Sequence, residues 1–198
     1  MILLVNGPNL NLLGEREPEV YGYQTLADVV RMVGETCAAY GVGVKAFQSN
    51  GEGAILDFLQ EHRREAEGVI LNPGALTHTS RALPDCLKAL PCSTIEVHIS
   101  NIHAREAWRH ESFVAPAAKG QIVGMGVAGY RYAALHLCEL IAARASERPA
   151  ERPSFVAPGP LSAAPAAPRR PVVQEGSVGE IPESIPVDQN ARGDYEPL

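Results

Sequence analysis

The segment from residue 96 to residue 109 places several titratable side chains at the end of a predicted strand. Successive side chains of a strand point to opposite faces, so Glu96, His98 and Ser100 would share one face. A strand that is buried on both sides would carry apolar residues on both faces. An acid, an imidazole and a hydroxyl in one row therefore predict a site at the carboxyl edge of a sheet, where open α/β sheets bind their ligands.

Two arginines follow this strand. Arg105 and Arg109 are four residues apart, a spacing that puts both side chains on one side of a helix. Guanidinium groups recognise carboxylates and other planar anions. We expect a short helix that presents both arginines to an anion.

The loop after the first predicted strand is long: about eighteen residues precede the next helix, whereas such loops usually have two to six. It contains neither G-x-G-x-x-G nor G-x-x-x-x-G-K-[ST], which disfavours a dinucleotide or nucleoside triphosphate site. It offers instead an amide at Asn9, a guanidinium at Arg16 and a phenol at Tyr21. Its length and its glycines are typical of a lid.

A second loop, residues 72–80, combines hydrogen-bonding side chains with the start of a helix. Backbone N–H groups at a helix start can hold a carboxylate. Asn72 and His78 lie in this loop. We expect both to face the same edge of the sheet as His98.

Each of these side chains also has an ordinary structural interpretation. Asn9 and Asn72 could be turn formers, Tyr21 a packing residue and Arg16 a solvated charge. His98 taken alone is more typical of a hydrogen-bonded structural histidine. Glu96, two residues earlier on the same face, favours an acid–base role because a carboxylate can orient the imidazole.

Three histidines raise the alternative of a metal-dependent hydrolase. His78, His98 and His103 are separated by 20 and 5 residues, which matches no common ligand spacing, and no cysteine or aspartate completes the set. We therefore expect no metal. A flavodoxin-like binding or signalling module is a second alternative. It is disfavoured because no strand ends in a pair of aspartates and the first loop is a poor cradle for a flavin phosphate.

The hydrophobic pattern alternates between strands and helices over residues 1 to about 146. Five alternating strands imply a parallel sheet that is covered by helices on both faces. We predict a single α/β domain, a flavodoxin-like doubly wound sheet. The predicted strands are residues 2–6, 42–47, 69–72, 94–99 and 121–125, and the predicted helices are 25–40, 54–66, 80–90 (broken near Pro84) and 130–145.

The composition is that of an ordinary globular protein, with 45% hydrophobic and 20% charged residues among 198. A net charge of −6 gives no reason to expect nucleic acid or an anionic membrane as partner. No apolar run approaches the ~20 residues of a membrane span, and we expect a cytoplasmic protein. The cysteines contain no C-x-x-C pair and are predicted to be buried free thiols: Cys37, Cys86, Cys92 and Cys138.

Residues 147–198 differ in composition from the predicted domain 1–146. Ten of the 16 prolines of the chain lie there, with only Phe155 and Tyr195 as aromatics. Such a segment buries too little apolar surface to offset its ordering entropy. We predict a disordered, partly polyproline-like tail.

Five blocks of the sequence resemble the signature segments of the type II 3-dehydroquinate dehydratase family. They occur in the family's order, span residues 1 to about 143, and are residues 6–14, 16–22, 48–53, 72–80 and 96–109. The resemblance implies a flavodoxin-like subunit of a homododecamer, a tetramer of trimers that needs no cofactor. It also implies dehydration of 3-dehydroquinate to 3-dehydroshikimate through an enolate, in the shikimate pathway.

The resemblance implies roles for the acid and base groups. Tyr21 matches the base that removes a proton beside the ring ketone, and His98 matches the acid that helps the hydroxyl leave as water. Arg16 matches the lid arginine that favours tyrosinate, and Arg105 a second arginine near the base. Asn9 matches the residue that holds a water against the enolate.

Other positions match substrate contacts. Asn72 and the backbone at Ile99 and Ser100 would bind the substrate carboxylate. His78 and Arg109 would bind the ring hydroxyls.

Two further positions match supporting acids: Glu96 would orient His98, and Asp85 would reach the site of a neighbouring subunit. The sequence departs from the family at Leu76, where an aromatic is frequent, and at Pro84, which precedes Asp85. Neither departure removes a chemical group, but Pro84 changes how Asp85 would be aimed.

Overall fold

A computed structural model describes residues 1–15 and 23–147 of the chain. The predicted tail, 147–198, lies outside the described residues apart from Glu147, and so do Arg16 and Tyr21. Within the described parts, no helix is both long and apolar enough to cross a bilayer. The predicted cytoplasmic location stays a prediction.

Five parallel strands form one sheet, in the order β2-β1-β3-β4-β5. This is the flavodoxin-like strand order, as predicted. The strands are β1 (Ile2–Asn6), β2 (Val44–Gln48), β3 (Gly68–Asn72), β4 (Ser93–His98) and β5 (Gly120–Val123). The α-helices are α1 (Leu26–Ala38), α2 (Glu52–Glu61), α3 (Leu76–Thr79), α4 (Ala82–Lys88) and α5 (Ala128–Glu147).

The core lies on both faces of the sheet because the central strands are buried throughout. On β1, Ile2 and Leu4 pack with α1 and α5, whereas Leu3 and Val5 pack with α2 and α4. The continuous apolar runs of β1 and β3 therefore serve two cores, as a doubly wound sheet requires.

Helix α1 begins where the sequence predicts. Thr25 Oγ1 accepts a hydrogen bond from the Asp28 N–H (3.2 Å), and Asp28 Oδ2 accepts one from the Thr25 N–H (2.9 Å). This reciprocal pair is a capping box. Gly41 follows the helix with φ +69°, a left-handed conformation that favours glycine.

A helix does form within the predicted range 80–90, over Ala82–Lys88, but the predicted break near Pro84 was wrong. Pro84 occupies the first turn of α4, where a backbone N–H has no partner within the helix. The break lies earlier, between α3 and α4, where Ser80 Oγ accepts the Leu83 N–H at 2.9 Å. Helix α2 also begins and ends earlier than predicted. All four cysteines are free thiols, but Cys92 is only half-buried.

The loops after β1 and β3 touch each other because these strands are neighbours in register, with Asn6 opposite Asn72. The Gly7 N–H donates to the Asn72 carbonyl at 2.7 Å. A Cβ at Gly7 would lie 2.4 Å from the Pro73 carbonyl oxygen, so a side chain there would push the two loops apart.

We predict that Gly7→Ala lowers the free energy of unfolding by about 1–3 kcal/mol, because backbone atoms must move to admit the methyl group. Gly34→Ala in α1 is the matched control. A Cβ at Gly34 meets nothing within 4 Å, so this variant should be more stable by roughly 0.5–1 kcal/mol. Urea unfolding measures both. A Gly7→Ala protein as stable as wild type would contradict the close approach of the loops.

Candidate active site

A cleft lies at the carboxyl ends of β1, β3 and β4. Eight of the twelve predicted site residues line it: Asn9, Asn72, His78, His98, Ile99, Ser100, Arg105 and Arg109. Glu96 lies behind His98, and Asp85 is not among the lining residues. Parallel strands end at the same edge of a sheet, which explains why residues so far apart in sequence meet.

Glu96 and His98 are in contact on β4. His98 Nε2 lies 2.7 Å from Glu96 Oε1, and both residues are buried. An ionised carboxylate only accepts hydrogen bonds, so Nε2 carries the proton and donates it. The other ring nitrogen, Nδ1, is left as the atom through which His98 can exchange a proton with a ligand in the cleft.

Three more side chains hydrogen-bond the Glu96 carboxylate. Thr77 Oγ1 lies 2.5 Å from Oε1, Ser112 Oγ lies 3.0 Å from Oε1 and 3.1 Å from Oε2, and Gln121 Nε2 donates to Oε2 at 3.0 Å. Burial by itself raises the pKa of Glu96, but the hydrogen bonds and charge of His98, with Thr77 and Ser112, outweigh it and hold the pKa below its ordinary value. Glu96 is therefore an anion.

Sequence reasoning missed Ser112 and Gln121, and it named Thr77 only as part of a loop. Ser112 lies in an irregular segment, and Gln121 is one polar residue on the edge strand β5. No periodic pattern marks either of them. The polar face of β4 indicated only that Glu96, if buried, needs hydrogen-bond donors around it.

His78 is held as a neutral imidazole at the cleft wall. Its Nδ1 lies 2.6 Å from the Glu111 carbonyl oxygen and must donate to it, which leaves Nε2 as an acceptor. Burial lowers the pKa of His78, and the charges of His98 and Arg109 lower it further, against the opposing effect of the Glu111 hydrogen bond. The Trp108 ring packs edge-on against His78, with centroids 5.3 Å apart.

The predicted short helix with Arg105 and Arg109 on one side was wrong. The chain forms two 3₁₀ turns, Ile102–Ala104 and Ala107–Arg109, because Arg105 between them is extended. Both arginines still line the cleft. The Glu106 carboxylate lies between them, with Oε2 2.7 Å from Arg109 Nε and 3.6 Å from Arg105 Nε.

Asn9 has a left-handed backbone, with φ +67°, a conformation that asparagine tolerates better than most residues. Its N–H donates to Asn50 Oδ1 at 2.9 Å. Asn72 Oδ1 accepts the Gly74 N–H at 3.1 Å. The turn-forming interpretation of both asparagines is therefore correct, and both also line the cleft.

Asp85 lies on the exposed side of α4, with Oδ1 3.6 Å from Lys88 Nζ.

The part of the chain that the structure describes holds no group of three side chains suited to a metal ion.

This arrangement defines a flavodoxin-like α/β protein with a buried acid and a histidine at the carboxyl edge of its sheet. Residues 1–138 match the model of the dehydroquinase class II family. The chain belongs to this family of enzymes.

Named relatives agree. The chain is 54% identical over 137 residues to a catabolic 3-dehydroquinase from Penicillium rubens, with 69% of this chain and 88% of that protein covered. It is 55% identical over 134 residues to a 3-dehydroquinate dehydratase from Variovorax paradoxus, with 65% and 92% covered.

Solved structures show the same fold. The type II dehydroquinase from Propionibacterium acnes superposes with a TM-score of 0.67 at 38% identity, and covers 70% of this chain and 95% of its own. The Butyrivibrio crossotus enzyme gives 0.67 at 46% identity, with 69% and 95% covered.

We predict that Glu96→Gln destabilises the protein by roughly 3 kcal/mol at pH 7, because the hydrogen-bond donors around position 96 lose their anion. The native pKa of Glu96 lies below its ordinary 4.5. Its contribution is therefore complete above about pH 4.5 and is lost as the pH falls through the native value. Urea unfolding from pH 7 to pH 3 should show the gap between wild type and variant narrowing only below about pH 4.5.

The exposed Glu139→Gln on α5 is the control and should track wild type over the whole range. A gap of constant size down to pH 3 would mean that Glu96 is not the ionised group.

Proposed function

We propose that this enzyme dehydrates 3-dehydroquinate to 3-dehydroshikimate within the shikimate pathway. The observation that carries the proposal is the contact between His98 and the buried Glu96 carboxylate, in a cleft lined by eight of the twelve predicted site residues. The names of the 50–55% identical relatives support the same substrate.

The first step is removal of the proton beside the ring ketone by the Tyr21 phenolate, which leaves an enolate. A phenol of pKa ~10 costs about 4 kcal/mol to ionise at pH 7. A neighbouring cation lowers such a pKa by about 1–3 units. Arg16 on the same loop and Arg105 at the cleft wall supply that cation.

The second step is loss of the hydroxyl. The C–O bond breaks as His98 Nδ1 transfers a proton to the leaving oxygen, and the electron pair of the enolate forms the ring double bond. Glu96 accepts the proton on Nε2, which leaves Nδ1 as the nitrogen that transfers a proton to the leaving oxygen. A water held by Asn9 stabilises the enolate between the two steps.

The remaining lining residues bind the substrate. Asn72 and the backbone of Ile99 and Ser100 hold the ring carboxylate. His78 accepts a hydrogen bond from a ring hydroxyl through Nε2, the nitrogen that its Glu111 contact leaves over. Arg109 donates to a second hydroxyl, with its guanidinium fixed by Glu106 and packed 3.9 Å from the Trp108 ring centroid.

The mechanism predicts distinct phenotypes when absorbance of the conjugated enone product is followed. Tyr21→Phe should lower turnover by about 10²–10⁴-fold because it deletes the base.

Arg16→Ala should move the basic function in the pH–rate profile to higher pH, since tyrosinate forms less readily without its cation. His98→Ala should stall water loss while proton exchange beside the ketone persists.

Tyr23→Phe is the matched control for Tyr21→Phe, because Tyr23 is 82% exposed and two residues away. More than about a tenth of wild-type turnover in Tyr21→Phe would contradict the assignment of the base.

We also propose that the subunits assemble as trimers within a homododecamer, and that Asp85 serves the site of a neighbour. Its carboxylate is 81% exposed and lies outside the cleft of its own chain, which supports a role in another subunit.

Mixed assemblies test this arrangement. Tyr21→Phe and Asp85→Ala subunits, each poorly active alone, should regain activity when dissociated and reassembled together. Some sites then pair an intact Tyr21 with a neighbour's intact Asp85. Light scattering should report a mass near twelve subunits. No recovery in a mixture that has assembled would mean that Asp85 acts, if at all, within its own chain.

A further inference from the structure

A buried chain of hydrogen bonds runs from the cleft into the core. Asn72 Nδ2 donates to Tyr130 Oη at 2.7 Å, and Tyr130 Oη donates to Asn6 Oδ1 at 2.7 Å. The three side chains come from β3, α5 and β1, and each is at most 3% exposed. Only Asn72 reaches the cleft.

The direction of this chain is fixed. The Gly74 N–H can only donate, so the atom of Asn72 beside it is the carbonyl oxygen, and Nδ2 must face Tyr130. The Tyr130 oxygen therefore accepts from Asn72, and its single proton turns away to Asn6. Nδ2 carries a second N–H, which is the donor that Asn72 offers to a ligand in the cleft.

Asn6 is the last residue in this series of hydrogen bonds. Its Nδ2 is buried and has no hydrogen-bond partner among the described residues. An unpaired buried amide is unfavourable, yet the opposite orientation of Asn6 would leave the Tyr130 proton without an acceptor. The hydroxyl of Tyr130 thus holds the orientation of the Asn6 amide and, together with the Gly74 N–H, that of the Asn72 amide.

We propose that Tyr130 is a positioning residue for substrate binding, which fixes the Asn72 amide so that its second N–H points at the substrate carboxylate. This inference rests on the proposed function, because it takes the carboxylate as the group that Asn72 binds. Tyr130 lies in the core and does not touch the ligand itself. Its effect is therefore on affinity and is transmitted through Asn72.

Tyr130→Phe tests the proposal because it keeps the ring and deletes only the oxygen. We expect KM for 3-dehydroquinate to rise by about tenfold while kcat stays within about threefold, since the lost contact binds ground state and transition state alike. Tyr132→Phe is the control on the same helix, with a side chain that is 49% exposed, and should leave both constants unchanged. A purely structural role for Tyr130 would alter stability without this split.

A double-mutant cycle with Asn72→Ala tests whether the effect of Tyr130 on KM is transmitted through Asn72. In the Asn72→Ala background, adding Tyr130→Phe should change KM by less than about twofold, because the amide that Tyr130 positions is already gone. Additive effects of the two substitutions would overturn the proposal. So would a KM for Tyr130→Phe equal to that of wild type.

Asn6→Ala gives a second test that leaves the Tyr130 ring in place, should Tyr130→Phe fail to fold. Without its acceptor, the Tyr130 hydroxyl can turn its proton towards Asn72, and KM should again rise. An unchanged KM would overturn the inference. If wild type does not convert 3-dehydroquinate, the proposed function fails and takes this inference with it. If wild type is active and only the KM effects are missing, this inference alone is wrong.

Discussion

The buried carboxylate of Glu96 is the interaction on which the site depends. A charge removed from water is strongly unfavourable unless hydrogen bonds replace its hydration. Here the donors are His98 on the same strand, Thr77 on α3, Ser112 in the segment after β4, and Gln121 on β5. Four separate parts of the chain must therefore be in place before this anion is satisfied.

A second polar network also joins distant parts of the chain, but it carries no charge. Tyr130 joins Asn6 to Asn72, and the Gly7 N–H ties the same two loops through the Asn72 carbonyl. Burial raises the pKa of Tyr130 far above its ordinary value, so its hydroxyl stays neutral and donates and accepts at once. The β1 and β3 loops are thereby held at the distance that a cleft between them requires.

The side chains in and behind the cleft differ in charge. The Glu96 network holds a buried anion behind His98, whose ring lines the cleft. Arg105 and Arg109 line the cleft with side chains that are only 21% and 19% exposed, and both contact the exposed Glu106 carboxylate. His78 lines the same cleft as a neutral imidazole, because burial lowers its pKa. The cleft therefore offers cations, a hydrogen-bond acceptor and a histidine in contact with a buried anion.

The sequence by itself determined the five alternating strands, the start of α1 and the shared face of Glu96 and His98. These features follow from local geometry, because the period of two in a strand and the capping box at Thr25 depend only on residues close in the chain. The tertiary structure alone decided that Ser112 and Gln121 complete the Glu96 site, that Tyr130 stands behind Asn72, and that Arg105 interrupts the expected helix. Hydrogen bonds between residues 16 to 124 positions apart are set by which strands become neighbours, and no local pattern encodes them.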